Sequence, residues 1–244
     1  MTMYVHRWGS GPEVVLVHGA LLGGREAWRA QRPLTERWTL LAPDRPGHGG
    51  TPAARTDFEP EAMMVATQLL DRPRHLVGMS YGGIVALYAA AVRPENVLSL
   101  TVIEPPCTRV ASGASEVDEY AAAVRELIEN TDRTPVQALR RFYDVAGVFV
   151  PVDEPLPPVL EAGIRQLAGA RSPDEATPPW DVLRAARLRV LAVSGGHLPA
   201  NEIICDAIAE RTGGARAVCP GAGHLVPDVG EPFNKLLEEH LTGR

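Results

Sequence analysis

Short apolar runs alternate with amphipathic stretches through the first part of the chain. Residues 13–17, Glu-Val-Val-Leu-Val, form a β-branched run without polar alternation, the pattern of a strand buried on both faces. Residues 38–42, 74–77, 97–103 and 188–194 share this character, with shorter strands expected at 4–8 and 216–218. Between them, residues 25–35, 59–70, 81–93, 201–211 and 231–241 carry helical spacing, with Trp28 on the inner face of the first and Pro94 closing the third. Strands interleaved with helices predict a mostly parallel sheet covered on both faces. Ligands of such sheets bind beyond the carboxyl ends of the strands.

The rhythm breaks between residues 108 and 179. That stretch has no β-rich run except Val148-Phe149-Val150, and its helical segments, 117–129, 135–143 and 158–168, are separated by proline clusters. The expected organisation is an α/β core made of residues 1–106 and 181–244, with residues 107–180 inserted as a small helical cap.

Composition narrows the function classes. A chain of 244 residues with 45% hydrophobic content can bury one large core. A net charge of −6 disfavours nucleic acid as a partner, and no apolar run approaches membrane-spanning length. The first residues carry no apolar signal core, and three scattered cysteines (Cys107, Cys205, Cys219) fit a reducing compartment, so a cytoplasmic location is expected. No His, Cys and carboxylate cluster has metal-ligand spacing, and the glycines from Gly19 to Gly24 lack the Lys-Ser/Thr ending of a phosphate-cradling loop. Neither a metal nor a cofactor is therefore expected. Monomer and homodimer both stay open.

The densest chemical signal is Gly78-Met79-Ser80-Tyr81-Gly82, a G-x-S-x-G pentapeptide between an apolar run and a small-residue helix. Strand, sharp turn and helix present the Ser80 hydroxyl at a strand tip with a helix N-terminus behind it. A serine hydroxyl needs a base within hydrogen-bond reach, and the base needs an orienting acid. Among seven histidines, His224 in the Gly221-Ala222-Gly223-His224 loop best suits the base, which comes last in the chain order of such sites. Two backbone donors must meet the oxyanion. The Tyr81 amide, directly after the nucleophile, is one. The Ala20 amide, in the His18-Gly19-Ala20-Leu21 exit from the 13–17 strand, is the other.

Taken together, Val17-His18-Gly19, the Asp44-Arg45-Pro46-Gly47-His48-Gly49 loop, the Ser80 elbow and Gly221-Ala222-Gly223-His224 run in order along nearly the whole chain, and they resemble the α/β-hydrolase superfamily, in its esterase and lactonase-like branch. The resemblance implies an α/β-hydrolase fold. The serine separates the chain from haloalkane dehalogenases and epoxide hydrolases, whose elbow nucleophile is an aspartate. The family usually places an Asp after the strand that resumes beyond the insertion. Here that loop reads Ser194-Gly195-Gly196-His197-Leu198-Pro199-Ala200-Asn201-Glu202, and its first carboxylate, Glu202, suits a helix cap. A minority of the family takes the acid from the end of the strand after the elbow helix. Glu104, in Val102-Ile103-Glu104-Pro105-Pro106, holds that position, a pattern similar to lactonases that open the macrolide ring of zearalenone. Glu104 can instead cap the entry to the insertion or pair with Arg109. Asp228 and Glu231 lie too close after His224 to orient its ring readily.

The resemblance implies a Ser-His-Glu hydrolase of a hydrophobic carboxylic ester or lactone. Apolar and aromatic residues of the insertion, Phe142, Tyr143 and Phe149, together with Trp180 at its exit, point to a hydrophobic substrate. Trp180 and Leu21 are the expected substrate contacts. Asp44 and His48 are read as turn residues rather than an acid–base pair, and His197 is either a substrate contact or a turn histidine. Alternatives are a carbon–carbon bond hydrolase, a secondary-metabolite tailoring enzyme, or a ligand-binding protein without turnover. A dienone acid would demand a cationic residue in the site, and the sequence offers none at an identifiable position.

Overall fold

The computed structural model describes residues 1–243. Its centre is a seven-stranded sheet in the order β1 (Val5–Trp8), β3 (Thr39–Pro43), β2 (Glu13–Val17), β4 (Arg74–Met79), β5 (Val97–Ile103), β6 (Val190–Ser194), β7 (Ala215–Val218). Only β1 runs antiparallel to its neighbour, pairing Val5 with Pro43 and Trp8 with Leu40. The direction of the connections reverses between β2 and β4, because the chain leaves β2 toward β3 on one side and leaves β4 toward β5 on the other. Ligand crevices of open parallel sheets form at such a reversal.

The helices are α1 (Gly24–Ala27), α2 (Phe58–Leu69), α3 (Tyr81–Val92), α4 (Ser115–Glu129), α5 (Pro135–Ala146), α6 (Pro158–Leu167), α7 (Trp180–Ala185), α8 (Pro199–Thr212) and α9 (Glu231–Thr242). Helix α3 is apolar nearly all round, as a helix pressed between sheet and neighbours must be, and Ile84, Val85 and Leu87 are buried on it. One apolar cluster joins α2, α3 and α8 to one face of the sheet, and a second joins Trp28, Phe233 and Leu237 to the other. A third lies among α4, α5 and α6, where Leu127, Ile128, Leu139, Ile164 and Leu167 pack together with Leu21. Helix α5 is well delimited: Thr134 and Gln137 form a reciprocal capping box, and Gly147 ends the helix in the left-handed conformation. Among the described residues no helix is long and apolar enough to cross a membrane.

Local corrections have physical causes. The helix expected at 25–35 is the four-residue α1 followed by a 3₁₀ segment, Arg29–Glu36, because Pro33 removes a backbone donor and bars an α-helical turn. Trp28 still faces inward and is buried. The Val148-Phe149-Val150 run forms no strand, and Phe149 projects fully into solvent.

Candidate active site

Three neighbouring strands bring their carboxyl ends together. Met79 of β4 pairs with Ile103 of β5, and Ile103 pairs with Val193 of β6. Ser80 and Glu104 are thus the first residues beyond two adjacent strands, and the Gly195 loop stands beside Glu104. The Ser80 amide donates to the Ile103 carbonyl at 2.8 Å, and the Glu104 amide to the Val193 carbonyl at 3.0 Å.

Both residues adopt left-handed backbone conformations, with φ of 52° at Ser80 and 41° at Glu104. Non-glycine residues rarely do so, and the cost is of order 1–3 kcal/mol each. At Ser80 the glycines make the turn possible. A Cβ on Gly78 would lie 2.3 Å from the Gly82 carbonyl oxygen, and one on Gly82 would lie 2.2 Å from that of His18. At Glu104 the chain leaves the sheet directly into Pro105-Pro106, and the hydrogen bond to Val193 holds the residue in place.

The buried side chains meet in a line. His224, from the loop after β7, has Nε2 3.1 Å from Ser80 Oγ and Nδ1 2.7 Å from Glu104 Oε2. An ionised carboxylate only accepts, so Nδ1 carries the proton and donates to Glu104. Nε2 then presents its lone pair to the serine hydroxyl, the arrangement a general base requires. Glu104 is fully buried. Its Oε1 accepts the Gly195 amide at 2.6 Å, and its Oε2 accepts Asn201 Nδ2 at 2.8 Å in addition to His224. Burial pushes the Glu104 carboxyl up, but His197 and His224, with the Gly195 amide, overcome it and hold the group down at about 2. Arg109 is not its partner; it donates to the Asp174 carbonyl. Glu202 accepts the Gly196 amide at 3.2 Å and pairs with Arg216, away from His224.

Ala20 and Tyr81 line the same cavity as Ser80 and His224. Among the described residues no acceptor within the chain takes either amide. Tyr81 opens α3, so its amide belongs to the free donors of a helix N-terminus. The Ala20 amide shares a peptide plane with the Gly19 carbonyl, which accepts from Arg45 Nη1 and from His18 Nδ1, each at 2.8 Å. His18 is kept neutral by burial and by the nearby His48 and Arg45, and its Nε2 accepts the Arg45 amide at 2.9 Å. Asp44 and His48 are structural, as their turn setting suggests. Asp44 accepts the Gly24 and Gly50 amides, and His48 Nε2 donates to the Ala20 carbonyl.

The remaining wall is apolar: Tyr120, Val124 and Leu127 of α4, Phe142 and Val145 of α5, and Leu167 of α6, with no Arg or Lys among the lining residues. Tyr120, Val124 and Leu127 recur at helical spacing, a stripe legible in the sequence but not singled out there. The two expected substrate contacts, Trp180 and Leu21, lie outside this lining. Trp180 does not line this cavity. It begins α7, which packs against α3 and α8, and it borders a separate surface depression with Val110, Arg184 and Arg211. Leu21 is absent from the cavity lining and packs in the apolar cluster of α4, α5 and α6, with its backbone against Gly163. Of the aromatic residues of the insertion, Phe142 reaches the cavity, Tyr143 packs within the helical cluster and Phe149 stays in solvent.

Residues 14–236 match the model of the alpha/beta hydrolase family. Among curated relatives, a pimeloyl-(acyl-carrier protein) methyl ester esterase of Chromobacterium violaceum is 29% identical over 79% of this chain and 74% of its own length. Lipase LipV of Mycobacterium tuberculosis is 36% identical over 66% of this chain and 59% of its own length. Among solved structures, the esterase EaEST of Exiguobacterium antarcticum superimposes with a TM-score of 0.72 at 23% identity, covering 98% of this chain and 95% of the other, a likeness of fold.

Proposed function

The chain belongs to the alpha/beta hydrolase family, and from that premise we propose that it is a serine hydrolase cleaving carboxylic esters or lactones of hydrophobic small molecules through Ser80, His224 and Glu104. The observation that carries this reading is the unbroken line from Ser80 Oγ to His224 at 3.1 Å and on to Glu104 at 2.7 Å. The relatives named as methyl ester esterase and lipase support the same bond type.

Ser80 Oγ attacks the substrate carbonyl while His224 Nε2 takes its proton. The carbonyl oxygen gains the negative charge and turns toward the Ala20 and Tyr81 amides. Glu104 holds the imidazole in its productive tautomer and stabilises the imidazolium. His224 returns the proton to the departing alkoxide, leaving an acyl-enzyme. A water molecule, deprotonated by His224, then attacks the acyl carbon, and the Ser80 oxygen leaves with that proton. In a lactone the leaving oxygen, once protonated by His224, stays attached to the acyl chain, so the second step releases a single hydroxy acid.

Residues 107–180 act in this reading as a cap that roofs the site and shapes its acyl or ring pocket. The uncharged wall of that pocket favours neutral hydrophobic esters, and the lack of a lining cation argues against carbon–carbon cleavage of dienone acids. A receptor without turnover would have no use for an aligned base. The test is hydrolysis of p-nitrophenyl esters and of neutral lactones by the wild type beside Ser80→Ala. Turnover should fall by roughly 10⁴-fold or more in the variant, whereas ligand-induced stabilisation without turnover in the wild type would overturn the proposal.

A further inference from the structure

His197 stands beside Glu104 and has no part in the mechanism above. Its Nε2 lies 2.9 Å from the carbonyl oxygen of Ala146, and its Nδ1 lies 3.4 Å from Glu104 Oε1. Ala146 is the last residue of α5, so its carbonyl is one of those a helix leaves without an internal partner. Both ring nitrogens therefore face groups that only accept. A neutral ring can put its proton on one of them and must turn a lone pair toward the other.

The electrostatic setting points the same way. Glu104 comes from β5, and Glu202 comes from α8 with Arg216 of β7 bound to it; the end of α5 presents the negative pole of its helix dipole. His224 shares Glu104 with His197 from the far oxygen. Glu104 raises the His197 pKa above its ordinary value against the opposing effect of burial, and the Ala146 carbonyl and Glu202 add to that rise.

We propose that His197 is a positioning residue that, as an imidazolium, ties the C-terminal end of α5 to Oε1 of Glu104 and moderates the charge that Glu104 offers to His224. This rests on the reading of Glu104 as the acid of the triad. The two histidines stand at opposite ends of the carboxylate: Oε2 binds His224, while Oε1 accepts the Gly195 amide and has the otherwise unpartnered His197 Nδ1 3.4 Å away. A second cation on the same carboxylate makes protonation of His224 less favourable. Without that cation Glu104 would hold the His224 imidazolium more strongly. The same contact couples the helix that carries Phe142 and Val145 into the cavity to the group that orients the base.

The experiment is the pH profile of kcat/KM on a p-nitrophenyl ester for the wild type, His197→Gln and Glu104→Gln, with ¹⁵N NMR of the histidine rings in the wild-type protein. Glutamine can still donate to the Ala146 carbonyl but cannot carry charge. His197→Gln should move the acid limb to higher pH by about half a unit, and the His197 ring should be doubly protonated at neutral pH. An unmoved limb, with any loss of rate uniform across pH, would overturn the proposal, because that is what a purely structural residue gives. A neutral, singly protonated His197 at neutral pH would overturn it independently, even if His197→Gln failed to fold. Near-wild-type turnover by Glu104→Gln would instead defeat the underlying triad reading. Collapse of that variant with an unmoved limb in His197→Gln would defeat only the role of His197.

Discussion

Arg45 donates from Nη1 to the carbonyl oxygen of Gly19 at 2.8 Å, and this fixes a peptide plane one residue before the cavity. In a trans peptide the carbonyl and the following amide point in opposite directions. Arg45 and His18 grip the Gly19 oxygen, which directs the Ala20 amide away from them, as the proposed oxyanion role requires. Arg45 is itself held by the buried Glu61, from Nε at 2.6 Å and Nη2 at 3.2 Å, and lies 4.7 Å above the Tyr81 ring. One guanidinium thus steadies the supports of both proposed oxyanion donors.

Arg45→Lys keeps the charge but lacks the planar fork that serves Glu61 and Gly19 at once. It should lower kcat by about tenfold or more and leave KM within a few-fold, measured by steady-state kinetics. Arg45→Met would strand Glu61 as an unpaired buried charge and should cost about 3–5 kcal/mol of stability in urea denaturation.

Exchange of the acid should separate the carboxylates. Glu104→Gln removes the charge that stabilises the imidazolium and should reduce kcat by roughly 10²–10⁴-fold. Glu202→Ala should stay within about threefold of wild type, because Glu202 binds Arg216 and the Gly196 amide rather than His224. Near-full turnover in Glu104→Gln would refute the assignment.

Acid should destabilise the protein through two carboxylates whose folded pKa values are depressed. Glu104 and Glu13 are each held at about 2, in both cases against burial: Glu104 by His197, His224 and Gly195, Glu13 by Arg7, Arg74 and Arg72. A carboxylate with a lowered folded pKa contributes stability that is fully present above its unfolded value and is lost as pH falls through the folded one. The urea midpoint should therefore decline from about pH 5 toward pH 2. Glu104→Gln should flatten part of that decline, and an unchanged slope would contradict the depressed value.

The cavity wall should set acyl preference. Leu127→Trp adds bulk to the apolar face opposite Ser80 and should reduce kcat/KM for octanoyl esters more than for acetyl esters. Equal loss for both chain lengths, in a p-nitrophenyl ester series, would place the acyl group elsewhere.

Much of this protein was decided within short stretches of sequence. The β-branched runs at Glu13–Val17 and Val97–Ile103 are strands because such residues suit a sheet covered on both faces. Gly78 and Gly82 flank Ser80 because only glycine clears the backbone of that turn. These are local steric matters, and local sequence carries them. The position of Glu104 before Pro105-Pro106 was equally legible, since strand, breaker and chain order are all properties of sequence.

Contacts between distant segments were another matter. Hydrophobic spacing says that a face is buried without naming what covers it, so Trp180 read as a cavity residue although α7 packs on the outer side of α3 and α8. Nothing near His197 in the chain announces Ala146 or Glu104 as its neighbours, and nothing near Arg45 announces the Gly19 carbonyl. The amino-acid order by itself determined the strands, the elbow and which residues could react. Tertiary structure alone decided which of them meet, because hydrogen bonds and ion pairs depend on distances that only the closed sheet and the helices packed on it create.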